Sequence, residues 1–108
     1  MTREYIQVFT TVGKKQDAEN IAELLVERKL AGCIQVVGPV LSTYWWEGKI
    51  VKDKEWLCIV KSKKALYKKL EEAIKKIHPY ELPEITVTPI TAGSAGYLRW
   101  LNSVLRNS

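Results

Sequence analysis

Apolar residues along this chain are spaced first as a strand, then as a helix, then as two strands, a second helix and a last strand. Tyr5-Ile6-Gln7-Val8-Phe9-Thr10-Thr11 is rich in β-branched and aromatic residues and predicts the first strand, which Gly13 ends. From Lys14 to Leu30 the residues Ala18, Ile21, Ala22 and Leu25 recur at the helical period, with Leu24 widening the stripe. Asp17 and Glu19 sit early, and Arg28 and Lys29 late, as the helix dipole favours. Gly32 falls near where a terminating glycine is expected. A second strand starts at Cys33, is interrupted at Gly38-Pro39 as by a bulge or bend on an edge, and resumes through Trp46. Glu47-Gly48 turns the chain. Lys49 to Lys61 then runs back, charged at first (Lys52, Asp53, Lys54, Glu55) and apolar on both faces from Trp56 to Val60, as in a covered central strand.

Ser62 is placed to cap a second helix, whose core stripe is Leu66, Leu70, Ala73, Ile74 and Ile77. The segment from His78 to Pro83 holds two prolines four apart, which forbid a helix and make it a fixed, extended connector. A last strand spans Glu84 to Ile90. A short third helix carries Leu98, Leu101, Val104 and Leu105, with Tyr97 and Trp100 beside them. The order predicts an α+β fold of ferredoxin-like βαββαβ topology, with both main helices on one face of an antiparallel sheet and a C-terminal helix added. Length predicts one domain over residues 1–108.

Composition narrows the setting. No apolar run approaches a membrane span, and the start of the chain lacks the three-part pattern of a signal peptide, so a soluble cytoplasmic protein is expected, with no membrane partner. If Trp46 faces Lys49 across the turn, Cys33 faces Ser62 and Cys58 faces Val37. The cysteines are then roughly 13 Å apart along the strands, too far for a disulfide, and read as small buried apolar residues. The net charge of +5 raises the question of nucleic acid. The lysines of the second helix, however, interleave with acids, Glu71 with Lys75 and Glu72 with Lys76, which describes a solvated face. No nucleic-acid partner is expected, and the aromatic run of RNA-binding domains of this topology is missing from the third strand.

The hairpin implies a partner. Its arms of about thirteen residues exceed the usual strand of ~5–6 and would reach ~43 Å, far beyond a domain of this size, so the hairpin either bends back sharply on its own domain or projects beyond its helices. Tyr44, Trp45 and Trp46 at its far end are apolar surface that a monomer leaves wet, which points to a homo-oligomer with these three residues as interface anchors.

Leu30-Ala31-Gly32-Cys33, Tyr44-Trp45-Trp46-Glu47-Gly48-Lys49-Ile50, Val60-Lys61-Ser62, His78-Pro79-Tyr80 with Pro83-Glu84, and Tyr97-Leu98-Arg99-Trp100 together resemble the CutA family of divalent-cation tolerance proteins. The resemblance runs from the first strand to the last helix. It implies a tight trimer similar to the PII signalling proteins and an association with tolerance to copper and other divalent ions, without a known reaction. Family members that look to bind copper use a Cys at the end of the first strand and a His-His pair before Pro-Tyr. Here those positions hold Thr10 and Ile77, and only His78 matches. The candidate metal ligands are therefore His78, Glu81 and Glu84, with no cofactor required and copper or another divalent cation held weakly. A competing reading has His78 bond to backbone and close the second helix. Lys61, Tyr80, Glu84 and Trp100 are candidates for a cleft between subunits. No nucleophile–base pair or phosphate loop has motif support, so a protein that binds rather than catalyses is expected. The alternative is a PII-like trimer sensing a small anion in the intersubunit cleft.

Overall fold

The computed structural model describes residues 4–107. Four strands form one antiparallel sheet in the order β2-β3-β1-β4. They are β1 (Tyr5–Val12), β2 (Cys33–Trp46), β3 (Lys49–Lys63) and β4 (Thr86–Ile90). Helices α1 (Lys15–Glu27) and α2 (Tyr67–Ile77) connect them, and α3 (Ala95–Val104) follows β4. No helix among the described residues is long and apolar enough to cross a membrane.

Strict alternation in β1 points Ile6, Val8, Thr10 and Val12 inward, where they meet Cys58 and Val60 of β3. Ala18, Ile21 and Leu25 of α1 and Leu70, Ala73 and Ile74 of α2 close over them. A second, smaller cluster of Leu66, Leu101 and Leu105 seats α3, with Tyr5 packed on it. Ile77, expected in the core stripe, is instead 41% exposed, because α2 ends there and the chain leaves the sheet.

Ser62 does not cap α2. It is the penultimate residue of β3, fully buried, and its hydroxyl donates to the Leu30 carbonyl at 2.7 Å. A short 3-10 turn, Lys64–Leu66, intervenes before α2, whose N-cap Leu66 makes no side-chain bond. Gly32 does not terminate α1 either. The left-handed residue there is Lys29 (φ 57°). Gly32 is required for space, since a Cβ would lie 2.5 Å from Leu101 Cδ1.

The hairpin turns at Glu47-Gly48, both with positive φ, and pairs Trp46 with Lys49 as expected. The register then slips at Gly38-Pro39, where two residues of β2 stand opposite Trp56 alone. Cys33 consequently faces Lys61, not Ser62, and Cys58 faces Val36, not Val37. Both cysteines are free thiols; Cys58 is buried, which pushes its pKa up to about 11, whereas Cys33 is only half-buried. Gly38 has no room for a side chain, because a Cβ would sit 2.6 Å from the Trp56 indole.

Beyond this bulge β3 loses its second neighbour. Its ladder with β1 stops at Trp56, so Lys49–Glu55 pairs only with Val40–Trp46. A two-stranded arm of roughly 23 Å therefore projects from the helix-covered base, and the molecule measures 47 × 25 × 22 Å.

Candidate functional site

The connector after α2 is fastened at three points. His78 is the C-cap residue, and its backbone N–H donates to Ile74 O at 2.8 Å. Its imidazole, 8% exposed, lies 2.9 Å from the Thr11 carbonyl through Nε2, and the Tyr80 backbone N–H donates to Nδ1 at 3.1 Å. A ring nitrogen that accepts carries no proton, so the hydrogen-bond network assigns the proton to Nε2. Burial lowers the imidazole pKa below its ordinary value, against the opposite pull of the Thr11 carbonyl, Asp17 and Glu55. The third fastening is the Tyr80 hydroxyl, which donates to Glu55 Oε2 at 2.8 Å. Burial first, and then the Glu55 carboxylate, drive the phenol pKa well above its usual value.

Between connector and arm lies a cleft of about 680 Å³. Tyr44, Trp46 and Tyr80 supply aromatic walls; Asp53, Glu55, Glu81 and Glu84 supply carboxylates; no Lys, Arg or His lines it among the described residues. Glu55 is only 6% exposed. The Tyr44 hydroxyl donates to Asp53, which raises the Tyr44 pKa, and Thr86 Oγ1 donates to Glu84 at 3.1 Å.

Strand alternation explains why these groups meet. The run Lys52-Asp53-Lys54-Glu55 sends both acids to one face of the arm and both lysines to the other. Across the ladder Ser42 pairs with Asp53 and Tyr44 with Val51, which brings Tyr44 and Trp46 to the acidic face. Asp53 and Glu55 are absent from the residues singled out in the sequence, although the charge alternation was there to be read.

The expected residues divide. Tyr80, Glu81 and Glu84 do line one cleft. His78 does not join Glu81 and Glu84 as a ligand set: the Nδ1 lone pair is occupied by Tyr80 N–H and Nε2 faces a carbonyl. No group of three or more His, Cys, Asp or Glu side chains with metal-binding geometry occurs among the described residues. Lys61 and Trp100 lie elsewhere. Lys61 is six residues along β3 from Glu55, roughly 20 Å, and its Nζ stands 5.7 Å from the centre of the Tyr97 ring, which packs on Trp100 at 5.5 Å. Within one protomer the four residues expected in a single cleft thus form two separate sites. The Tyr44-Trp45-Trp46 cluster also splits, because Trp45 points away from the cleft with Leu41 and Ile50.

A ferredoxin-like α+β sandwich with an outsized β2–β3 arm and a fastened connector is the class of protein these elements define. Residues 6–104 match the family described as CutA1 divalent ion tolerance protein, and this chain belongs to that family. It is 43% identical over 94 residues to the divalent-cation tolerance protein CutA of Thermus thermophilus, covering 87% of this chain and 91% of that protein. It is 39% identical over 103 residues to a chloroplastic CutA 1 of Oryza sativa, covering 95% of this chain and 58% of the rice protein, so it spans little more than half of that relative. The crystal structure of CutA1 from Oryza sativa superimposes with a TM-score of 0.96 at 38% identity, covering 99% and 98% of the two chains.

Proposed function

We propose that this chain is a self-associating tolerance protein, assembled as a homotrimer, that acts on divalent cations by binding and not by catalysis. The observation that carries the tolerance role is the family match over residues 6–104. Self-association is supported by the outer face of the arm, where Leu41, Trp45 and Ile50 are 68%, 72% and 60% exposed on a two-stranded ribbon that is marginal on its own in water. Action by binding is supported by how the usual catalytic groups are used: the single histidine of the chain is tied at both ring nitrogens, and the Cys58 thiol is sealed in the core. A cytoplasmic setting belongs to the same proposal.

Copper is a poor fit to one protomer. It prefers imidazole and thiolate, and His78 offers no free lone pair. The carboxylates of the cleft make it negative, and that sign disfavours the competing reading of an anion at this place. Two measurements test the proposal. Light scattering at submicromolar concentration is expected to give three times the chain mass, and a monomer mass overturns the assembly. Cells lacking the gene are expected to become more sensitive to divalent ions and to be restored by the wild-type chain; unchanged sensitivity overturns the tolerance role.

A further inference from the structure

We propose that the cleft between arm and connector binds an organic polycation, an alkyl chain bearing two or more ammonium groups. Glu55 is the first reason. The residue is more than nine-tenths buried and its carboxylate lines the cleft, where its one hydrogen bond comes from a neutral phenol. The ion pairs among the described residues are Lys64–Glu4 and Glu71–Lys75, so no cation there offsets it. A carboxylate on a largely buried residue is poorly solvated without a countercharge, and most of its acceptor positions remain open to a donor entering the cleft.

The walls are the second reason. Tyr44, Trp46 and Tyr80 present aromatic surface beside the acids, the pairing that recognises alkylammonium groups through ring faces and carboxylates together. The spacing of the acids is the third. They are strung along a cleft of about 680 Å³ and do not converge in threes, which suits charges separated by methylene spacers better than one compact ion. This inference does not rest on the tolerance role. An ammonium ligand needs the acidic face of one arm, whatever ion the assembled protein handles.

The test is calorimetry at 0.15 M salt with spermidine as probe, on the full chain, alongside Glu55→Gln, Asp53→Asn and, as a control outside the cleft, Glu72→Gln. Spermidine is expected to bind the wild type and to lose at least about tenfold in affinity with E55Q, less with D53N, and to change less than twofold with E72Q. Where E55Q fails to fold, the wild type alone decides: the Trp46 indole N–H resonance is expected to shift on titration, and the Trp45 indole to stay. Absence of binding below about 1 mM, equal affinity in E55Q, or an equal loss in E72Q overturns the proposal. So does displacement of spermidine by magnesium at matched charge, which describes a diffuse acidic surface only. None of these readouts involves metal tolerance in cells, so either proposal can fail alone.

Discussion

The two faces of the arm share the same strands, the same ladder and the same turn, and differ only in parity. One face carries Ser42, Tyr44, Trp46, Val51, Asp53 and Glu55, with Lys49 at its tip, and borders the cleft. The other carries Leu41, Trp45 and Ile50 together with Lys52 and Lys54. Trp45 is 72% exposed and its neighbour Trp46 48%. A period of two has thus sorted a segment of unremarkable average composition into an acidic aromatic surface and a basic apolar one. Two adjacent tryptophans should then report on different events, one on assembly and the other on what enters the cleft.

The sharpest way to break this comparison is to charge each tryptophan in turn. Trp45→Lys is expected to weaken self-association by at least about 100-fold, close to 2.7 kcal/mol, because a ring of this size buries a large apolar area at an interface. Trp46→Lys is expected to leave the mass unchanged. Sedimentation of both variants over a dilution series measures this, and equal losses would erase the distinction between the faces.

A smaller effect is expected where the cleft face meets the connector. Tyr80→Phe removes the one bond recorded for the buried Glu55 carboxylate, and should cost about 1–3 kcal/mol in urea unfolding. A stability equal to wild type would mean that water reaches Glu55 as readily as the phenol does. Gly38→Ala forces a methyl group against Trp56 at the root of the arm, with an expected cost of about 1–3 kcal/mol from overpacking. Spectra of the variant should change at Trp56 while Trp45 stays as it was.

The smallest effect expected is that of pH on the connector. Burial depresses the folded pKa of His78, so the folded state binds its proton less readily than the unfolded chain. Stability from this group is complete above the unfolded value near 6.5, falls as pH drops through that value toward the lower folded one, and is flat below both. His78→Gln should flatten the slope between pH 7 and 5 in thermal melts; an unchanged slope would assign it to other groups.

Element order, sheet topology and the reach of the hairpin were legible because each rests on local periodicity or on chain length. Ile21, Leu25, Leu70 and Ile74 show their burial in their spacing. What escaped depends on geometry beyond the local pattern. Ser62 has the composition of a cap, yet β3 runs one residue past it and its hydroxyl reaches Leu30 across the sheet. The cysteine register slips by one because a bulge inserts a residue on one strand only, and Gly38-Pro39 signals an irregularity without stating its width. For the candidate site, the connector residues Tyr80, Glu81 and Glu84 were legible, since fixed polar groups beside two prolines mark a displayed segment. Their counterparts Asp53 and Glu55 were hidden in a stretch that reads as ordinary solvated charge. Lys61 and Trp100, expected with Tyr80 and Glu84 in a cleft between subunits, stand apart from them within one protomer, where six residues of β3 separate Lys61 from Glu55.

The arm has a further consequence on a slower timescale. Its inter-strand amide bonds beyond Trp56 are held by two strands only, whereas those of β3 from Leu57 to Lys61 are clasped on both sides. Deuterium should therefore enter the distal amides by local unzipping long before it reaches those at the root. When sister chains cover the ribbon that route closes, and the uptake rate between Val40 and Glu55 becomes a clock for how long each protomer spends alone.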